Sequence, residues 1–361
     1  NDAERKKGSS RGIERSNYIM KKFVLSLFSV LLVLSMIGSF AACSNKDEEK
    51  EIKYNQACTL VDEGKYEEAY AMFEELGNYK DSQKHLSRFV YFPTVLTYNL
   101  SDRSGVMTVD FGAYNLPSRM LSNGSIGTKD GMYIYDNQGN LVRQAVNFNE
   151  DFATFDYTYD ANNNMIKAEY SEEGELVTVQ DYTYNAAGSL TKEVYTRDGV
   201  VIYVAEWFYD ENGKLNRNDY SNTENGYSDT ITYTYNADGK VISESGVDFE
   251  GNTYTTTFSY GDDGRLAQEV YVEGDFQCTV YYTYDNAGNC IKEETVYLDG
   301  TKDIFTREYD TNGNTTKEML TEADGTVQTV ESQYVLMYLM IDVPASTMNQ
   351  LMGLFNIAQY F

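Results

Sequence analysis

The sequence predicts a mainly β protein. The expected fold is a stacked antiparallel β-hairpin repeat array, eight units of about 25 residues in a curved sheet or spiral, preceded by a small α-helical segment. Three observations carry this. A tyrosine-and-turn motif, Tyr-Asp/Asn-x-x-Gly in its full form, recurs at Tyr135, Tyr159, Tyr184, Tyr209, Tyr235, Tyr260, Tyr284 and Tyr309, at intervals of 24 to 26 residues. A second turn follows each one about ten residues on, as in Asp198-Gly199, Glu250-Gly251, Asp299-Gly300 and Asp324-Gly325. Two Tyr-rich strands and two turns per unit leave no room for a helix, and only 3 prolines interrupt the chain.

Residues 1–42 read as a mis-extended start followed by an export signal. Met20-Lys21-Lys22 opens a short basic region, the run Phe23 to Phe40 is apolar, and Ala41-Ala42 precede Cys43. Phe40-Ala41-Ala42-Cys43 resembles a bacterial lipobox, with Phe in place of the usual Leu. The resemblance implies cleavage before Cys43, lipidation of its sulfur and a chain tethered to the membrane on the extracellular face. Several acyl chains hold a membrane far better than one. Residues 43–53 then form an acidic tether.

From 54 to 91 apolar residues recur at helical steps of three and four. Gly64, Tyr66, Ala69 and Phe73, with Ala57 ahead of them, resemble one tetratricopeptide repeat, in which small residues let two helices approach closely. Asp81 or Ser82 caps a further short helix bearing His85, expected at its surface.

The array proper spans 131–334. In each unit Asp or Asn opens a type I turn and Gly takes the left-handed position after it, most plainly in Asn236-Ala237-Asp238-Gly239. A lone hairpin is marginal in water, so stacked units need closed ends. Residues 92–130 are expected to cap the front as irregular strands. Residues 335–361 are expected to cap the back with a strand and a helix carrying Leu351, Leu354, Phe355 and Ala358.

The Tyr-Asp-x-x-Gly-Asn-Leu unit at 135–141, and close variants at 284–290 and 309–315, resemble the YD repeats of Rhs-type proteins. That family implies a curved sheet of stacked hairpins, spiralling in its giant members into a shell around a toxin. Here there are eight units, 27 residues follow Tyr334, and no Asp-Pro-x-Gly boundary ends the array, so a toxin cargo is not expected.

The formal charge of −27, or −31 without residues 1–42, repels phosphate backbones, so no nucleic-acid partner is expected. One histidine and no Cys-x-x-Cys spacing argue against metal and cofactor sites, and no nucleophile–base pair suggests an enzyme. Asp310-Thr311-Asn312-Gly313 fails the EF-hand spacing. If the turn pairs Tyr184 with Leu190, strand alternation puts Tyr182 and Tyr184 on one face and Tyr195 on the other. Tyr195 and its equivalents Tyr170, Tyr220 and Tyr271 are therefore the candidate ligand-binding residues, an exposed platform for glycan or protein. The expected function is binding or scaffolding at the cell envelope, with cell-wall glycan, host glycan or an envelope protein as partner. The alternatives are a glycan hydrolase using a carboxylate pair, and a structural spacer. Oligomeric state is left open.

Overall fold

The computed structural model describes residues 46–149, 151–247 and 251–354, in two compact units that meet at Leu86 and Ser87. Cys43 and the export signal lie outside the described residues, as do Phe355 and Ala358.

The first unit holds α1 (Lys46–Asp62), α2 (Tyr66–Leu76) and the short α3 (Ser82–Leu86). Ala57, Ala69 and Phe73 are fully buried, and Gly64 turns the chain between α1 and α2 at φ +72°. His85 is half-buried rather than a surface residue: its ring stacks on Phe73 at 4.4 Å, and the Tyr54 hydroxyl lies 3.3 Å from its Nε2.

Among its described residues the second unit has twenty strands. The first four are β1 (Phe89–Asn99), β2 (Ser104–Phe111), β3 (Pro117–Gly124) and β4 (Gly127–Tyr135). Then come β5 (Leu141–Phe148), β6 (Asp151–Tyr159), β7 (Met165–Glu172), β8 (Glu175–Tyr184), β9 (Leu190–Arg197) and β10 (Val200–Tyr209). Next are β11 (Leu215–Asn222), β12 (Ser228–Tyr235), β13 (Val241–Val247), β14 (Thr253–Tyr260) and β15 (Leu266–Glu273). The last are β16 (Phe276–Tyr284), β17 (Cys290–Tyr297), β18 (Lys302–Tyr309), β19 (Thr315–Thr321) and β20 (Val327–Tyr338). Each pairs antiparallel with its neighbours in sequence.

The array does not stay open. β1 pairs with β20 from Phe89↔Tyr338 to Asn99↔Thr329, so the sheet closes into a 20-stranded antiparallel β-barrel. This corrects the expected open curved sheet or spiral, while the mainly β class holds. The physical reason is the edge: an open sheet leaves two rows of unpaired backbone groups, and closure removes both. β1 to β3 and the last residues of β20, 335–338, lie outside the repeats and are barrel strands rather than separate caps.

The motif turns all lie at one mouth. At Asp136 the backbone N–H bonds to the Asn140 carbonyl and the Gly139 N–H bonds back to the Asp136 carbonyl, a type I turn with a bulge. The Asp136 carboxylate also accepts from the N–H groups of Gln138 and Asn140. Two units depart from the motif without losing the turn. Asn163 takes the left-handed position at φ +61°, and Asp263 accepts from the Arg265 N–H where Gly261 replaces the usual Asp.

Each motif tyrosine does a second job. Its hydroxyl donates to the backbone carbonyl at the first residue of the preceding outgoing strand. Tyr135 reaches Pro117 (2.7 Å), Tyr159 Leu141 (2.7 Å), Tyr184 Met165 (2.8 Å) and Tyr209 Leu190 (2.7 Å). Tyr235 reaches Leu215 (2.5 Å), Tyr260 Val241 (2.7 Å), Tyr284 Leu266 (2.8 Å) and Tyr309 Cys290 (2.8 Å). In three units the ring also lies under a cation from the turn before: Lys214 on Tyr235, Lys240 on Tyr260, Arg265 on Tyr284.

At the same mouth lies α4 (Ala345–Leu354). The Thr347 hydroxyl accepts from the Leu141 N–H at 3.3 Å, the Ser346 hydroxyl donates to the Asn163 carbonyl, and the Tyr159 hydroxyl donates to Gln350 at 3.0 Å. Leu351 is fully buried and belongs to one apolar cluster with Phe92, Leu116, Leu141 and Leu339.

Replacing Tyr184 by Phe removes one neutral hydrogen bond and keeps the ring. The expected loss is about 1 kcal/mol in urea unfolding. The outward Tyr281, replaced the same way, should change stability by less than about 0.5 kcal/mol.

Candidate functional site

The bulge after each motif turn decides which side chains face the lumen. Tyr184 pairs with Leu190, but Thr183 pairs with Lys192, so one residue is skipped and Tyr182 meets Glu193 while Gln180 meets Tyr195. A one-residue slip exchanges faces. Tyr195 therefore shares the inner face with Tyr182 and Tyr184, and the expected division of the tyrosines over two faces does not occur.

Alternation makes the two faces chemically unlike. In β12 Asp229, Ile231, Tyr233 and Tyr235 are half-buried and turned inward, whereas Ser228, Thr230, Thr232 and Thr234 are exposed. The outer face carries ion pairs: Arg143–Asp156 (2.5 Å), Lys167–Glu169 (2.6 Å), Lys192–Glu206 (3.0 Å), Arg217–Asp219 (3.1 Å) and Lys317–Glu331 (3.0 Å). A barrel that crosses lipid shows an apolar outer band instead. No described helix is long and apolar enough to cross a membrane.

Inside, the side chains form levels. Nine residues after each motif tyrosine an inward position recurs, filled by Gln144, Ala168, Glu193, Asn218, Glu244, Glu269, Glu293 and Glu318. Neighbours at this level stand two strands apart, about 10 Å around the barrel. The carboxylates lean on donors. The Tyr203 hydroxyl donates to Glu193, Thr256 to Glu244 at 3.2 Å, and Arg307 bridges Glu293 (2.5 Å) and Glu318 (3.2 Å). Burial raises the carboxyl pKa of Glu269, opposed by the Tyr282 hydroxyl, and that of Glu318, opposed by Arg307. Burial and then Glu193 push the Tyr203 hydroxyl up to about 12.

Two residues further along each strand lie the predicted tyrosines, near the second mouth. Tyr195 stacks on Tyr203 at 5.1 Å, Tyr203 meets Tyr220 at 5.4 Å and Tyr220 meets Tyr227 at 6.0 Å, so one row joins Tyr195 and Tyr220. Tyr271 belongs to a second row with Tyr254 (5.7 Å) and Phe276 (6.0 Å). Tyr170 packs on Phe155 at 4.8 Å and its hydroxyl donates to Glu172. Tyr170 alone of the four lines a cavity of about 970 Å³, together with Leu96, Met107, Met120, Val146 and Phe155. The inward carboxylates and Tyr203 were not among the sequence candidates, although the nine-residue spacing announces the former. Among the described residues no cluster of His, Cys, Asp or Glu suits a metal ion.

No protein-family model matches the chain, and no curated protein does. Similar solved structures include a porin-like protein from Bacteroides uniformis ATCC 8492, 11% identical, covering 67% of this chain and 96% of that one at a TM-score of 0.35. A porin-like protein from Bacteroides vulgatus ATCC 8482 is 10% identical over 68% of this chain and 99% of that one, at 0.28. The Tc holotoxin pore of Photorhabdus luminescens is 11% identical over 60% of this chain and 17% of that one, at 0.26. Likenesses this distant carry neither activity nor location to this chain.

Replacing Arg307 by Met leaves Glu293 and Glu318 facing each other without their cation. Urea unfolding at pH 7.5 should show a loss of about 2 kcal/mol. A raised carboxyl pKa means that the folded state binds the extra proton, so this loss is greatest at neutral pH. It should shrink as pH falls toward 4.5, the ordinary glutamate value.

Proposed function

We propose that this is a lipid-tethered binding protein of the cell envelope that takes its ligand into the lumen of the barrel. The cavity of about 970 Å³ carries the reading, because it combines apolar and aromatic walls with a few polar groups. A 20-stranded barrel also encloses more space than side chains fill. Away from β1 to β5, β20 and α4, inward residues are mostly half-buried, in keeping with a lumen left partly open. Because Tyr170, Tyr195, Tyr220 and Tyr271 face inward, the geometry favours a ligand small enough to pass the second mouth over an insoluble glycan held on an outer platform. Binding is favoured over hydrolysis because the inward carboxylates repeat with the strands and rest on Tyr, Thr or Arg partners. A purely structural spacer would show no saturable ligand.

The tether rests on the lipobox resemblance at Cys43. Cys43→Ser should release the protein from the membrane fraction, and retention would contradict the tether. Lumen binding is tested with an environment-sensitive apolar dye. The native protein should bind it saturably, and Ala153→Trp, which fills the cavity from β6, should abolish binding with the circular dichroism spectrum unchanged. Undiminished binding by this variant would place the dye outside the cavity.

A further inference from the structure

The lumen is acidic as well as aromatic, and its charge is sorted by face. Along β7 to β19 the strand lysines Lys167, Lys192, Lys292, Lys302 and Lys317 point outward by register. Glu193, Glu244, Glu269, Glu293 and Glu318 point inward, with Glu172 and Glu273 toward the second mouth. Two inward bases on these strands stand against them among the described residues: Arg307, held by Glu293 and Glu318, and Arg197, at the level of Glu172 and Glu273 and paired with Glu224. An anion entering this space meets uncompensated carboxylates in surroundings of lowered dielectric, whereas a cation meets attraction.

The cavity adds shape to that charge. On one side Leu96, Met107 and Met120 offer an apolar, adaptable surface. On the β6–β7 side Phe155 and Tyr170 present aromatic rings beside the Glu172 carboxylate. Arg103, from the β1–β2 turn, and Lys129, from β4, also line the cavity, against the three carboxylates Asp151, Glu172 and Glu173. An aromatic ring next to a carboxylate is suited to an alkylammonium head, while the thioether and aliphatic side accepts a hydrocarbon.

We propose that the cavity binds an organic cation bearing an apolar tail, its ammonium end against Tyr170 and Glu172 and its tail over Leu96, Met107 and Met120. This rests on the lumen-binding reading and names the ligand class of that same site. The probes are octyltrimethylammonium, octylphosphocholine and octyl sulfate, which share a tail and differ in head. They are titrated calorimetrically into the full-length protein below their micellar concentrations, with circular dichroism confirming the fold at each end point.

The proposal expects saturable binding in the order cation, zwitterion, anion, with the cation at least tenfold tighter than the anion. Tyr170→Ala and Glu172→Gln should each weaken the cation at least threefold and leave octyl sulfate unchanged. Equal affinity for the three heads, or preference for the zwitterion or anion, overturns the cation assignment and leaves lumen binding standing. Binding of none of them, together with failure of the dye, overturns both.

Discussion

Eight tyrosine hydroxyls bonded to eight backbone carbonyls hold this barrel's first mouth in order. Each bond crosses from one repeat to the one before it, so it links units that a hairpin turn alone leaves independent. The carbonyl it satisfies belongs to the residue beside the bulge, where the sheet's own hydrogen bonding is interrupted and a buried acceptor is costly. Phenylalanine supplies the ring without the donor. The geometry therefore accounts for tyrosine at every repeat, although turn type and strand propensity leave the aromatic residue free to vary.

The bulge beside that carbonyl also sets the chemistry of the interior. By skipping one residue it brings the outgoing strand's Glu and Tyr onto the same face as the incoming strand's tyrosines. The lumen thus collects rings and carboxylates, and the outer surface carries threonine, serine and paired charges with scattered apolar residues such as Met132, Ile134 and Phe208. Many phenols sit beside carboxylates, which accept their protons in hydrogen bonds. Hydrogen bonding to Glu172 pushes the Tyr170 hydroxyl up to about 12, so these phenols stay neutral donors throughout the physiological range. The result is an interior lined by aromatic rings and carboxylates together.

Much of the local structure was legible in the sequence. Turn chemistry, strand number per repeat and the repeat length all follow from residues within about thirty positions of each other. Closure was not, because β1 lies outside the repeats and meets β20 across more than two hundred residues, as in the Thr94 hydroxyl bonding to the Gln333 carbonyl. Nor was the facing of Tyr170, Tyr195, Tyr220 and Tyr271. Simple alternation through Tyr184 and Leu190 puts them outside, and the single residue skipped at Thr191 reverses the answer. The candidate residues themselves did share one barrel face, but as parts of separate aromatic rows instead of a continuous platform.

Closure is the claim on which the lumen, its charge and its ligand all stand. Thr97 on β1 lies opposite Glu331 on β20, and directly opposed residues of antiparallel strands stand close enough for a disulfide. Cysteines at these two positions, in a chain whose native cysteines are serine, should form an intrachain disulfide in high yield under mild oxidation. The product should be monomeric and more compact on a non-reducing denaturing gel. Two free thiols, or crosslinks only between molecules, would mean that the ends of the sheet do not meet and would contradict the closed barrel.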